Sequence, residues 1–456
     1  MADKFSFFIE RLGCSKNSCD ADVIYSCLIE RGWREVKLNQ ADLIIVNTCG
    51  FIESAKEESI EAFFQCLKTK KQDAKIVLSG CLAQRYYKSL NNELKEADFI
   101  LGNYDIKEIL SIAKIIENKS PYGKKVFGVD ESADNIPKCY SSKHILYDQN
   151  HFKGPVGYIK IAEGCTHCCS FCAIPIIRGT LCSQSEEKLI ESIKMAVDGG
   201  AKEINLVAQD LINYGKDRSG KTEIYSLLEK ICAISGNFKV RMLYIHPDFF
   251  ELELVKFIHN HSYRLIPYFD IPFQHSSTAI LRSMGRTGDK DKYLRLIDDI
   301  RRIEKESIIR STFMLGYPLE TKKSINELKE FIRLADLDYS GFFIYSKEEG
   351  TPAFNLESSV LSKKYLNESL EEMKALQEEI SDKRFSRFVK SQQYALIEDV
   401  TDDTYISRIW AQAEDVDGLT FFDKCTSADR KYNKGDIVKV RILANDSYDL
   451  YAQEIN

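Results

Sequence analysis

The alternation of apolar and polar positions changes rhythm three times along the chain. Over residues 1–115, short apolar runs alternate with longer amphipathic ones. KFSFFIERL, WREVK, DLIIVNT, KIVLSG and DFILG read as strands; DADVIYSCLIERG, IESAKEESIEAFFQCLK and AQRYYKSLNNELKE read as helices. Apolar runs bounded by turn residues, with helices between them, predict βαβ units and an open parallel α/β sheet. Residues 116–150 lose this rhythm in a mixture of Ser, Asp, Asn, Gly, Pro and Lys, which predicts a linker. Residues 151–385 resume the alternation on a larger scale, with strands expected at GYIKIA, EINLVAQ, KVRMLYI, YFDIPF, IIRSTFML and SGFFIYS. Helical patterns between these strands predict a partial β/α barrel. A long helical pattern, LNESLEEMKALQEEISDKRFSRFV, closes that region. From about residue 386 to 456, short alternating strands such as QYALIEDV and DIVKVRILA predict a small β-barrel.

Composition narrows the class without changing this division. At about 150 residues per domain, 456 residues suit three domains. Hydrophobic residues at 44% and charged residues at 29% describe a globular chain and exclude disorder, collagen and coiled coil. No run approaches the ~18 apolar residues of a membrane span. FSFFI is closed at once by Glu10 and Arg11, too short for a secretory signal, so a cytoplasmic protein with no membrane partner is expected. Disulfides are rare in that compartment, so the fourteen cysteines divide between metal ligands and small core residues. The net charge of -6 is localised: residues 391–456 hold thirteen Asp/Glu against seven Lys/Arg, and the rest of the chain is balanced.

The sharpest local signal is GCTHCCSFCAIP. Cys165, Cys169 and Cys172 have the spacing C-x3-C-x2-C directly after a strand. Three thiolates on one loop can hold three corners of a [4Fe–4S] cluster and leave the fourth iron without a protein ligand. That open iron can chelate a substrate or cofactor by amine and carboxylate, which is the logic of radical S-adenosylmethionine chemistry. Two other readings stand beside it: a zinc site completed by His167 or Cys168, for which no second knuckle is visible, and inert buried cysteines. Cys14, Cys49 and Cys81 each follow a predicted strand, and carboxyl ends of parallel strands face one crevice. Any one of them alone reads as a small buried hydrophobe. Together they predict a second cluster with three protein thiolates, with Gly13, Gly50 and Gly80 beside them to let backbone approach. Cys19, Cys27, Cys66, Cys139, Cys182, Cys232 and Cys425 read as structural.

These motifs resemble those of the radical S-adenosylmethionine superfamily. Two three-cysteine sets followed by a β-barrel are similar to its methylthiotransferases, whose order is a cluster domain, a radical domain and a TRAM domain. LGCSKN, VNTCGFIESAKEESIE, SGCLAQRY, CAIPIIRG, VAQD, IPFQHSS and YSKEEGTPAF resemble the ribosomal-protein aspartate methylthiotransferase (RimO) family across the whole chain. The resemblance implies two [4Fe–4S] clusters and two uses of S-adenosylmethionine. One molecule methylates a sulfide held at the N-terminal cluster. The other is cleaved to a 5′-deoxyadenosyl radical, which takes hydrogen from the β-carbon of an aspartate in small-subunit ribosomal protein twelve. It also implies an electron donor such as a flavodoxin or ferredoxin. By family position, Phe171 packs near the adenine, while Gln209, Asp210, Gln274 and Arg310 are candidates for cofactor or substrate contact. Each has an alternative: core filling for Phe171, loop backbone satisfaction for the polar residues. His275 reads as a satisfied loop histidine, and no general acid or base is assigned. YPLET carries Leu319 where the family carries Gly, a departure that bears on the local turn. Cys19 and Cys168 are extra thiols near the two sets, with roles left open.

Two alternatives stand beside this reading: the same chemistry on tRNA adenosine, and a non-catalytic Fe–S or zinc protein that binds RNA. A domain that grips phosphates needs an excess of Lys and Arg. The acidic C-terminal segment has the opposite balance and suits a basic ribosomal protein, making tRNA the less favoured partner.

Overall fold

In the computed structural model, residues 5–121, 123, 125–129, 154–357, 359–424 and 431–455 are described. The first unit is a six-stranded parallel sheet. Its strands are β1 (Ser6–Arg11), β2 (Arg34–Glu35), β3 (Leu43–Thr48), β4 (Lys75–Gly80), β5 (Phe99–Leu101) and β6 (Val126–Phe127), in spatial order 2-1-3-4-5-6. Helices α1 (Ser15–Glu30), α2 (Glu53–Thr69), α3 (Cys81–Glu93) and α4 (Ile109–Glu117) connect them. β3 is buried at every position, as expected for a central strand covered on both faces. The linker expected over 116–150 needs correcting at its start: residues 116–117 finish α4 and residues 126–127 pair with β5. Val126 and Phe127 offer only two apolar residues, too few to show a strand period. Most of the remaining expected linker, with Cys139, lies outside the described residues, as does Cys425.

The second unit carries six parallel strands in two sheets. β7 (Val156–Lys160), β10 (Glu203–Val207) and β11 (Lys239–Leu243) form one; β12 (Tyr268–Asp270), β13 (Ile308–Leu315) and β14 (Tyr339–Ile344) form the other. A parallel bridge from Val240 to Leu265 continues the first sheet toward the second, giving the incomplete barrel. Short strands β8 (Ala162–Glu163) and β9 (Cys182–Ser183) pair antiparallel, and α5 (Ile174–Arg178) lies between them. The apolar core fills the space between these strands and their flanking helices. The long helix Lys363–Phe385 leads to a closed five-stranded barrel of β15 (Gln392–Val400), β16 (Thr404–Arg408), β17 (Thr420–Asp423), β18 (Ile437–Asp446) and β19 (Asp449–Glu454). Closure removes the edges that a free five-stranded sheet would expose. No helix among the described residues is long and apolar enough to cross a membrane.

Candidate cluster and cofactor site

The three strand-end cysteines converge because their strands are neighbours. β1, β3 and β4 lie side by side, so the turns after them open onto one crevice. Cys14 caps α1, and Cys81 is the first residue of α3. Two helix N-termini, with their unpaired N–H groups, therefore approach the thiols and favour negative charge there. The close approach requires glycine at two positions. A Cβ on Gly80, whose φ is +94°, would sit 2.4 Å from the Thr48 carbonyl oxygen. One on Gly50 would sit 2.7 Å from the Leu82 backbone nitrogen. Ser59 of α2 pins the Cys49 turn, accepting from its N–H at 2.9 Å and donating to its carbonyl at 3.1 Å.

The electrostatics of this trio are uneven. Surrounding protein raises Cys14, but the charges of Lys16 and Arg178 and the N–H groups of Asn17 and Lys16 outweigh it and hold the thiol below its ordinary value. Burial, with the neighbouring Cys81 charge, pushes Cys49 up to about 12. Burial also raises Cys81, opposed by Arg178. Arg178 donates from Nη2 to Cys81 Sγ at 3.1 Å, and Asn103 donates from Nδ2 at 3.5 Å.

The second trio lies on the loop between β8 and α5. Burial pushes Cys165 and Cys172 up to about 12, and in each case the Cys169 charge adds to it. The His167 N–H donates to Cys165 Sγ at 3.4 Å, and His246 Nε2 lies 3.8 Å from Cys169 Sγ. His246 Nδ1 accepts from the Asp248 N–H at 3.3 Å, so the proton of the neutral ring belongs on Nε2, facing the sulfur. Burial, with Arg286 and His167, pushes His246 down to about 2. The first trio packs against the segment that follows the second: Cys81, Ala173 and Ile177 form one small apolar cluster, and Ala173 directly follows Cys172.

The remaining candidates fall into two groups. Gln209 and Gln274 stand beyond the carboxyl ends of β10 and β12, and each has a buried Oε1 with no hydrogen-bond partner. Gln274 also has φ +68°, a conformation costly for a side-chain-bearing residue and one that accumulates at ligand sites. Phe171 is 8% exposed and belongs to the apolar core, with the Arg286 guanidinium 5.8 Å from its ring centroid. Asp210 is committed to protein partners: it accepts from the N–H groups of Ile212 and His246 and sits 2.7 Å from His167 Nε2. Arg310 lies near the start of β13, away from the strand ends. It pairs with Asp270 at 3.2 Å and approaches Asp417 of the closed barrel at 3.6 Å. The geometry thus gives Asp210 and Arg310 structural partners and leaves the two glutamines with unused acceptors. His275 is a satisfied loop histidine: Nδ1 accepts two N–H groups at 2.9 Å, and Nε2 faces Glu320 at 3.2 Å.

Sequence reading missed the group that joins the trios. Arg178 and Lys160 pair with Asp20 and Glu163, with Lys160 Nζ 2.5 Å from both carboxylates and Arg178 within 2.9 and 3.0 Å of them. All four side chains are at most 5% exposed. Asp20 comes from α1 and the others from the second unit. The available signal was two charged residues, Lys160 and Glu163, in the apolar run GYIKIAEG. On the other flank, buried Glu348 of YSKEEG takes Arg85 at 2.5 Å and Lys56 at 3.2 Å. Cys19 is buried in the core, its burial raising the thiol far above its ordinary value, whereas Cys168 is exposed.

Among the described residues, no three His, Cys, Asp or Glu side chains close on a single metal-ion position. Two sets of three thiols fit [4Fe–4S] clusters held by three cysteines, and the unused glutamine oxygens fit a polar cofactor beside the second set. Fold and site together define a radical S-adenosylmethionine enzyme. Residues 159–332 match the radical SAM superfamily, residues 6–102 the uncharacterized protein family UPF0004, and residues 391–455 the TRAM domain. The chain is 36% identical to the ribosomal protein uS12 methylthiotransferase RimO of Thermotoga maritima, covering 98% of this chain and 99% of that one. It is 38% identical to the RimO of Treponema denticola, covering 96% and 98%. The chain belongs to the ribosomal protein uS12 methylthiotransferase (RimO) family. Its fold is also like that of the radical S-adenosylmethionine methyltransferase TsrM from Kitasatospora setae, at TM-score 0.56 and 12% identity over 77% of this chain and 74% of that one.

Proposed function

We propose that this chain transfers a methylthio group to the β-carbon of an aspartate in ribosomal protein uS12, with the two cysteine trios dividing the work. Cys165, Cys169 and Cys172 would hold a [4Fe–4S] cluster, which would supply the electron for cleaving S-adenosylmethionine to a carbon radical, and Cys14, Cys49 and Cys81 would hold a second one at which the sulfur is carried. The observation that carries this reading is the packing of Cys81 against Ala173, the residue after Cys172, and Ile177. This packing would bring the two sites into one region of the molecule, and proximity of this kind lowers the entropic barrier to group transfer.

The chain's own residues orient and exclude. Gln209 and Gln274 present buried acceptor oxygens suited to the amino or hydroxyl groups of S-adenosylmethionine. Phe171 supplies an apolar wall beside the second trio. His167, His246 and Phe249 pack together, with centroids 4.3 and 4.6 Å apart from His167, and cover the Cys165–Cys169 loop. An unactivated C–H bond offers no acidic proton, so the chemistry needs no general base. The electron donor is a small redox protein such as a flavodoxin or ferredoxin.

Replacing Cys165, Cys169 and Cys172 with Ala is expected to abolish 5′-deoxyadenosine release from anaerobically reconstituted protein. Replacing Cys14, Cys49 and Cys81 instead should leave that release and stop methylthio insertion into uS12, read by mass spectrometry. Methylthio product from the second variant would overturn the division of labour.

A further inference from the structure

We propose that Arg178 is a positioning residue that tunes the N-terminal cluster through its hydrogen bond to the Cys81 sulfur, with Asp20 setting how strongly it does so. This rests on reading Cys14, Cys49 and Cys81 as a cluster site. The guanidinium is 1% exposed, so its charge acts with little solvent screening. The same nitrogen, Nη2, donates to Cys81 Sγ at 3.1 Å and to Asp20 Oδ2 at 2.9 Å. Nη2 carries two N–H groups and reaches both at once, so the carboxylate's negative charge offsets the guanidinium's at the sulfur. Its Nη1 is held by Glu163 at 3.0 Å, and Glu163 in turn by Lys160 at 2.5 Å, which fixes the guanidinium in place.

Hydrogen bonds to cluster sulfurs and positive local charge both raise a cluster's reduction potential, because they stabilise the more negative reduced form. A charged donor does this more strongly than a neutral one. The second trio has donors of its own, the His167 N–H at 3.4 Å from Cys165 Sγ and the His246 ring at 3.8 Å from Cys169 Sγ, and the Arg286 charge reaches Cys165 and Cys172. At the first site a buried guanidinium bonds a thiol sulfur directly. Arg178 also ends α5, which begins two residues after Cys172, so one side chain ties the thiol of the first site to the loop of the second.

The test uses the full chain with Cys165, Cys169 and Cys172 replaced by Ala, so that the N-terminal site is the one being titrated. After anaerobic reconstitution, iron and sulfide are counted and the midpoint potential is read by electron paramagnetic resonance. Arg178→Gln should move the midpoint to more negative potential, and Arg178→Lys should move it less. Asp20→Asn removes the opposing negative charge and should move it the opposite way, to more positive potential. Unshifted midpoints, or shifts of the same sign for Arg178→Gln and Asp20→Asn, would overturn the proposal, since disturbed packing alone does not produce opposed signs. If Arg178→Gln loses its iron, Asp20→Asn decides alone: a positive shift supports the proposal, and an unchanged or negative one ends it. A parent that binds no iron and sulfide at all would instead remove the cluster reading itself.

Discussion

Leu319 has φ +75° and is 65% exposed. The left-handed conformation costs a side-chain-bearing residue roughly 1–2 kcal/mol, and this leucine recovers little of it by burial. Leu319→Gly should therefore stabilise the protein by about 0.5–1 kcal/mol, after allowing for the greater freedom of glycine in the unfolded chain. A rise of roughly 1–3 °C in Tm by calorimetry is expected, and a fall would mean that the side chain makes a contact worth more than the strain. The departure at YPLET was visible in the sequence, and the structure shows what it costs. The opposite change at Gly80 should be far worse. Ala there meets the Thr48 carbonyl oxygen at 2.4 Å and the Asn47 Oδ1 at 2.8 Å, between the very strands that carry Cys49 and Cys81.

Among elements, the seam between the closed barrel and the radical unit depends on charge. Glu203 of β10 takes Arg241 of β11 at 2.9 Å and Arg408 of β16 at 3.4 Å. Burial raises Glu203, but the two guanidinium groups outweigh it and hold the carboxyl down at about 2. Its contribution is present above the ordinary carboxyl value of about 4.3 and is lost as pH falls through about 2. Glu203→Gln leaves two buried cations short of an anion and should cost on the order of 3–5 kcal/mol at neutral pH. Glu414, in the same seam, has the opposite sign. Burial pushes it up to about 7, Arg408 opposes, and Glu398, Asp415 and Glu203 add to the rise. Its contribution is full below about 4.3 and gone once pH has risen through about 7. Between pH 5 and 8, Glu414→Gln should therefore gain stability over the unchanged protein, by about 1–2 kcal/mol allowing for partial solvent screening. Thermal melts of both chains across that range check the sign, and equal pH profiles would refute it.

For the whole molecule, the charge of residues 391–456 bears on the partner, and the structure divides it. Asp402, Asp403 and Asp415 are exposed. Asp417 is not available to a partner: its side chain is fully buried, accepting from the Tyr268 hydroxyl at 2.7 Å and the Ala413 N–H at 2.8 Å. Asp402→Asn, Asp403→Asn and Asp415→Asn together should slow association with basic uS12 several-fold at low salt. The difference should fade toward 1 M salt, where the Debye length is about 3 Å. Tighter tRNA binding with uS12 binding unchanged would favour an RNA substrate instead.

What was legible in the sequence was whatever repeats over a few residues. Apolar runs of strand length separated by helical periods fixed the order of sheet, partial barrel and closed barrel, because side-chain period follows directly from backbone geometry. C-x3-C-x2-C on one loop is likewise a local geometry, and the three strand-end cysteines were readable because parallel strands bring their carboxyl ends to one edge. Tertiary structure alone decided the contacts between distant elements. It joined Arg178 to Cys81 and Asp20, seated Glu348 against Arg85, turned Arg310 toward Asp417, and paired the two-residue β6 with β5. A charged residue has no period to announce its partner. Whether Asp402 faces water and Asp417 faces Tyr268 depends on which surfaces the packed units leave open, and that is determined only when the units meet.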